Sequence, residues 1–187
     1  MPASVRAQDS TIRPGDIVFQ AINTKQTEAL IAATGSIYTH CGVVIEKEGG
    51  LFVLEALLKM SETPLDQWLA RGDSNYVVMR LKEAENILTE KALGDLSMAF
   101  HQFDELTYDL YFEWSDERMY CSELVWKIFE NGLGLVLVPL KKIGDYDLKS
   151  SAVTAIISER FTGNLDLDEP AVSPADLLDS PLLVRIK

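Results

Sequence analysis

This sequence is poor in cysteine, in histidine and in positive charge. It holds two cysteines and two histidines among 187 residues. Two cysteines make no disulfide framework, so both read as free thiols. Lys and Arg number 17 against 29 Asp and Glu, a formal net charge of −12. A surface of that sign repels phosphate backbones and anionic lipid, which argues against nucleic acid as a partner. No apolar run reaches the roughly 18 residues of a membrane span, so no integral membrane segment is expected. The run over residues 133–140 is short and is interrupted by Pro139. Residues 1–10 lack the apolar centre of a signal peptide, and the sequence as given reads cytoplasmic. Val5-Arg6-Ala7 followed by Gln8-Asp9 nonetheless resembles the end of a cleavage site. A periplasmic or secreted chain that had lost its signal peptide would begin this way. Internal repeats and low-complexity tracts are absent as well.

What is present is an ordinary globular composition, 47% hydrophobic and 25% charged, at a length that fits one domain. Residues 1–13 read as an N-terminal arm and 14–187 as a single domain. Pro14-Gly15-Asp16 is a turn signal before a short strand at 17–20. Residues 24–33 have helical composition, ended by Thr34-Gly35-Ser36. An apolar strand runs from about His40 to Glu46, and Lys47-Glu48-Gly49-Gly50 turns it into a returning strand at 51–57. Thr63 and Pro64 are suited to the N-cap and first position of a short helix carrying Leu65, Trp68 and Leu69. Residues 76–81 form a strand. An amphipathic helix is expected over 86–103, another over 122–131 with Gly132 as its C-cap, and a third over 151–160. A turn of helix begins at Ser173-Pro174, and 182–186 close the chain as a strand. Strand–helix–parallel-strand spacing is scarce, so the expected class is α+β, an antiparallel sheet flanked by helices.

The scarce residues carry the chemistry. Cys121 lies where a loop opens onto a helix, in Tyr120-Cys121-Ser122-Glu123-Leu124. The positive end of the helix dipole favours its thiolate. An imidazole on a neighbouring strand, His40, is placed to take its proton, as a cysteine-nucleophile acyl-transfer enzyme requires. Side chains alternate along a strand, so His40, Gly42 and Val44 share one face. A turn centred between Glu48 and Gly49 sets Gly42 opposite Glu55, which makes His40 the diagonal neighbour of Glu55 at roughly 7–8 Å between backbones. Glu55 then either holds the imidazole through one ring N–H or lies on an exposed face. Its place inside the apolar run 51–58 asks for a partner if it is buried. The alternation turns Cys41 to the opposite face from His40, beside Val43 and Ile45, as a small buried hydrophobe. Tyr108, Tyr111, Phe112 and Trp114 precede the nucleophile as core packing or as the wall of a cleft. His101 reads as a boundary residue, and the acidic stretch 165–169 as a solvated loop. A zinc site from His40, Cys41, Cys121 and His101 is disfavoured, because adjacent strand residues cannot both face one metal.

The blocks Pro14-Gly15-Asp16-Ile17-Val18-Phe19, Tyr38-Thr39-His40-Cys41-Gly42-Val43-Val44, Leu54-Glu55-Ala56 and Tyr120-Cys121-Ser122-Glu123-Leu124-Val125-Trp126 resemble, in this order, the YiiX-type group of circularly permuted NlpC-like, papain-fold proteins. The tail Ser173-Pro174-Ala175-Asp176-Leu177-Leu178-Asp179-Ser180 is similar to that group too. The resemblance spans about 13–186. It implies Cys121 as nucleophile, His40 as general base and Glu55 as the orienting group, with the histidine preceding the cysteine as the permuted order requires. It also implies hydrolysis or transfer at an amide or ester bond through a thioester, without settling the substrate; the expected one is a peptide or cell-wall-derived peptide amide. A lipid acyltransferase or phospholipase-like activity and a non-enzymatic ligand-binding module are the alternatives. Tyr38 and Tyr120 are candidate pocket residues. The backbone N–H of Cys121 is a candidate oxyanion donor, with a second donor not assignable. No metal or organic cofactor is implied.

Overall fold

The computed structural model describes residues 11–72, 75–161 and 165–187. In chain order its strands are β1 (Ile17–Gln20), β2 (His40–Lys47), β3 (Gly50–Ala56), β4 (Met60–Pro64), β5 (Tyr76–Leu81), β6 (Thr107–Tyr108), β7 (Arg118–Met119), β8 (Lys141–Lys142), β9 (Pro170–Ala171) and β10 (Leu183–Arg185). The helices are α1 (Thr27–Thr34), α2 (Leu65–Arg71), α3 (Ala84–Ile87), α4 (Glu90–His101), α5 (Cys121–Leu133), α6 (Ser151–Arg160) and α7 (Pro174–Leu178). Six strands form one antiparallel sheet in the order β10-β5-β1-β2-β3-β4. This is the expected α+β class.

Strand alternation divides the core in two. Ile17, Phe19, Cys41, Val43, Ile45 and Leu54 face α4 and α5, where Leu96, Phe100, Leu124, Val125 and Ile128 complete the larger cluster. Val18, Val44, Val53 and Val78 face the other way, onto Leu65 and Trp68 of α2. The end of the expected arm is tied down here, since Ile12 is buried in this second cluster. Residues 1–10 of that arm lie outside the described residues.

The β2–β3 hairpin pairs Val43 with Leu54 and Lys47 with Gly50, leaving Glu48 and Gly49 as the turn. That is the register expected from the sequence. Gly49 has φ 102°, a conformation in which a side chain is strained. Within the hairpin, a Cβ on Gly42 would meet Val53 Cγ1 at 2.5 Å and the Leu54 carbonyl oxygen at 2.6 Å. The strands can approach there only because the side chain is missing.

Several elements differ from expectation. Residues 60–64 add β4 to the sheet, so Thr63 is a strand residue and caps no helix; its hydroxyl goes to Glu55 instead. The single helix expected over 86–103 is two, α3 and α4, because the Thr89 hydroxyl accepts the Ala92 N–H and starts a new helix. Gly132 is not the C-cap of α5. It lies inside the helix, where a Cβ would meet the Asp95 carbonyl oxygen at 3.1 Å and Leu96 Cα at 3.2 Å, so it sets how closely α5 packs on α4. Gly134, at φ 65°, is the cap. No helix among the described residues is long and apolar enough to cross a membrane.

Candidate active site

Cys121 is the first residue of α5, so its thiol stands at the positive end of that helix. The helix starts here because Tyr120 is extended, at φ −99° and ψ 166°, and the Glu123 side chain turns back to accept the Tyr120 N–H. The α5 helix lies across the sheet on the Cys41 face and rests on β2. The Cys121 thiol is buried, with the Thr39 carbonyl oxygen 3.9 Å from it.

His40 is the first residue of β2 and is 2% exposed. Its Nε2 lies 2.6 Å from Glu55 Oε2, and Trp68 stacks on its ring with centroids 6.3 Å apart. That leaves Nδ1 for the thiol, and His40 and Cys121 adjoin as hydrogen-bonding partners. The ring therefore connects a carboxylate on one face of the sheet with a thiol on the other.

Glu55 is wholly buried, which rules out the exposed alternative. Four donors converge on it. Trp68 Nε1–H donates to Oε2 at 3.0 Å, beside the His40 contact. The Thr63 hydroxyl and the Arg71 guanidinium both donate to Oε1 at 2.5 Å. Burial alone would raise the pKa of such a carboxyl, yet His40, Arg71 and Thr63 together hold it below the ordinary value. Thr63, Trp68 and Arg71 were not singled out as site residues by sequence reasoning. A signal exists: Trp68 and Arg71 are three apart on α2 and so share a helix face beside β3.

Cys41 points away from Glu55, as the alternation requires, and is buried in the apolar cluster as expected. The face it points to is the one α5 covers, so Cys41 and Cys121 belong to the same cluster. The Cys41 contact is the largest influence holding the Cys121 thiol well below its ordinary pKa; burial opposes it and His40 reinforces it. For His40, burial is the largest influence and would lower its pKa, but the bonds to Cys121 and Glu55 outweigh it and raise the imidazole to about 9. Both shifts favour a thiolate–imidazolium pair at neutral pH.

Cys121 opens onto a cleft of about 120 Å³ whose exposed lining is almost entirely apolar. Ala29 and Leu30 of α1, Ile156 and Ile157 of α6, Phe161 and Val172 form much of its wall. Tyr108, Tyr111 and Phe112 line it too, whereas Trp114 packs edge-on against Trp126. One chain of hydrogen bonds enters this wall. Arg160 donates to Gln26 Oε1 at 2.9 Å, and Gln26 Nε2 donates to the Tyr108 hydroxyl at 3.1 Å. The proton of the Tyr108 hydroxyl is not used in that bond. Burial, and next the charge of Cys121, push the Tyr108 pKa well up, so it stays a neutral donor. Of the candidate pocket tyrosines, Tyr120 lines the cleft with its hydroxyl accepting the Val172 N–H, while Tyr38 lines a neighbouring groove with Ser36, Val77 and Met79. His101 is at the surface beside Asp104 and Glu62. Within the acidic stretch Asp168 pairs with Lys142 in solvent, but Leu165 turns into the cleft and Glu169 accepts the Trp114 N–H.

Comparisons with known proteins agree with this fold. The chain is 35% identical over 173 residues to the YiiX protein of Escherichia coli K12, itself uncharacterized, covering 92% of this chain and 84% of that one. The crystal structure of the metalloprotein yiiX from Escherichia coli O157:H7 superposes with a TM-score of 0.89 at 35% identity, covering 95% of this chain and 97% of the other. Residues 11–187 match the family described as permuted papain-like amidase enzymes, YaeF/YiiX, C92. The chain belongs to the permuted papain-like amidase family.

Proposed function

We propose that this protein is a cysteine amidase that cleaves an amide bond whose acyl side is a long apolar group, through a thioester on Cys121. The observation that carries the substrate class is the cleft. A nucleophile at the wall of a cleft with an apolar lining suits a hydrocarbon chain. Burial there is worth about 25 cal/mol per Å² of apolar surface. A cell-wall peptide would instead carry amides and carboxylates into a wall with few partners for them. That favours the acyl reading over the peptide reading.

In this mechanism the Cys121 thiolate attacks the carbonyl carbon. The developing oxyanion is held by the Cys121 N–H at the start of α5 and by the Tyr108 hydroxyl, which the Arg160–Gln26 chain polarises. The C–N bond breaks as His40 imidazolium gives its proton to the departing amine. Neutral His40 then takes a proton from water as the oxygen attacks the thioester, and the acid leaves with the thiolate restored. Glu55 fixes the ring by its Nε2–H and stabilises the imidazolium, and Thr63, Trp68 and Arg71 fix Glu55.

The Escherichia coli O157:H7 relative is a metalloprotein, but the residues of this site do not fit a metal. Both oxygens of Glu55 are taken by donors, one of them the cationic Arg71, and His40 Nε2 faces that carboxylate. Among the described residues no group of three His, Cys, Asp or Glu is arranged to hold an ion.

The test compares long-chain N-acyl amides with peptidoglycan-derived peptides, alongside a Cys121→Ala control. Intact mass after rapid quenching reports a covalent acyl adduct. Turnover and a Cys121 thioester with the acyl amides support the proposal. Turnover of the peptides alone overturns the substrate class, and unchanged activity in Cys121→Ala overturns the mechanism.

A further inference from the structure

Among the described residues Phe112 alone, glycine aside, holds a positive φ, and it lines the cleft. Its φ of 58° lies in the left-handed region, where the Cβ of an ordinary side chain crowds the backbone. Glycine would take that conformation freely. A phenylalanine keeps it only where the surroundings hold it there, and such outliers gather at functional sites. Phe112 is half-buried, and its ring meets the Tyr120 ring edge-on with centroids 5.3 Å apart. Tyr120 directly precedes the nucleophile in the chain.

Asp109 does the holding. It is 0% exposed, although Leu110, Tyr111 and Glu113 after it are at the surface. Burying a carboxylate is costly unless its oxygens are bonded. Here Oδ1 accepts the Tyr111 N–H at 2.8 Å and Oδ2 accepts the Glu113 N–H at 2.6 Å, one on each side of Phe112. The root of the loop is fixed in turn, since the Asp109 N–H donates to the Met119 carbonyl oxygen at 3.1 Å. From α6, Arg160 donates to the Leu110 carbonyl oxygen at 2.8 Å, and just beyond the helix the Phe161 ring meets Tyr111 edge-on at 5.8 Å. Arg118 lies over the Tyr111 ring, 5.2 Å from its centroid, and pairs with Glu113 at 2.6 Å. Residues 109, 110, 111 and 113 are each tied, and the strain falls on Phe112.

We propose that Phe112 determines which acyl group enters the cleft, admitting an unbranched chain and excluding a branched one, with Asp109 as its positioning residue. The inference rests on the reading of the cleft as an acyl site. The cleft is narrow, about 120 Å³. A ring on a tied, strained backbone cannot step aside for a wider chain, as a side chain on a loose loop would. An unbranched chain gains apolar contact along the ring, whereas a branch meets it in a wall with little room to repack. Position 109 needs a carboxylate because only a carboxylate accepts on both oxygens at once. An amide would set its NH₂ against one of the two backbone N–H groups and release one side of Phe112.

The experiment measures Cys121 labelling by N-decyl iodoacetamide, by a branched isomer of that probe, and by plain iodoacetamide as the reference for thiol reactivity. Mass mapping identifies the labelled residue, and circular dichroism checks the fold of each variant. In the wild-type protein the decyl probe should outrun plain iodoacetamide and exceed its branched isomer by about tenfold. Phe112→Ala should abolish most of that preference for the unbranched chain, and Asp109→Asn should reduce it. A merely structural role for either residue would slow all three probes alike and leave the preference intact, which would overturn the proposal. Unfolding in urea tests the strain separately. Phe112→Gly should be more stable than Phe112→Ala, because both lose the ring and only glycine is relieved at positive φ; the reverse order would remove the argument that the ring is held. If the decyl probe gains nothing over plain iodoacetamide in the wild-type protein, the acyl reading fails and this inference with it. If the decyl probe gains but no preference over the branched isomer exists, or it survives Phe112→Ala, this inference fails while the acyl reading stands.

Discussion

Replacing Glu55 by Gln should damage the protein in two measurable ways, because the carboxylate receives four donors and an amide can receive only two of them on its oxygen. Two orientations compete. With its NH₂ toward His40 and Trp68, the amide would oppose an indole N–H that has no access to water, since Trp68 is 0% exposed. With its NH₂ toward Thr63 and Arg71, the hydroxyl can rotate to accept and the guanidinium, 32% exposed, can swing to solvent. The second orientation should win. What is then lost is a charge-assisted bond from a partly exposed Arg71, along with the charge on the His40 contact. The first costs about 1–2 kcal/mol once solvent screening is allowed for. The second removes about 1–3 kcal/mol from the imidazolium, lowering the equilibrium constant for the thiolate–imidazolium pair by about fivefold to just over a hundredfold. Urea unfolding at pH 7 should give a stability loss of about 1–2 kcal/mol. The iodoacetamide rate of Cys121 should begin to fall with decreasing pH about one to two units higher than in the wild type. Wild-type values in both assays would refute the assignment of Glu55 as the group that holds His40 charged.

Further outcomes follow from the same geometry. Cys121→Ala and His40→Ala should each abolish turnover of an acyl amide, and the double variant should be no worse than either, as measured by kcat/KM for residues acting as a unit. Turnover should decline as pH rises through about 9, where His40, its pKa raised, loses the proton it delivers to the leaving amine; a rate that keeps climbing to higher pH would contradict that role. Tyr108→Phe should lower kcat by about 10²-fold with KM little changed, the signature of a lost oxyanion donor, and a change in KM alone would move Tyr108 to substrate binding. Gly132→Ala should cost about 1–3 kcal/mol by chemical unfolding because it pushes α5 off the Asp95 carbonyl, and a neutral result would remove the packing argument.

The hairpin was readable because it depends on local rules alone. Alternation and a symmetric turn fix which residues of β2 and β3 share a face, whatever lies around them. That is why His40 and Glu55 could be paired in advance. The helix start at Cys121 was legible one residue away from where it falls, and α6 over its full length. The elements that escaped are those decided by tertiary contact. β4 has little strand composition and exists because β3 offers it an edge, and the four two-residue strands exist only as pairs. Gly132 reads as a helix terminator locally and is a packing contact globally. The same distinction explains Cys41. Its face was assigned correctly, but alternation within a hairpin carries no information about which helix covers that face, so its place in one cluster with Cys121 was invisible. The converging donors on Glu55 and the Arg160–Gln26–Tyr108 chain join residues far apart in sequence, and no periodicity announces them.

The central claim is that Cys121 is held as a thiolate by its neighbours, and the pH dependence of its alkylation tests it most directly. An isolated thiol loses about tenfold in rate for each pH unit below its pKa of about 8.5. With the Cys121 pKa depressed well below that value by Cys41 and His40, brief iodoacetamide labelling followed by mass mapping should give nearly the same rate at pH 6 as at pH 8. Cys41 should stay unlabelled, and His40→Ala should restore a steep dependence. A tenfold fall per pH unit in the wild-type protein, or labelling of Cys41 ahead of Cys121, would contradict the account.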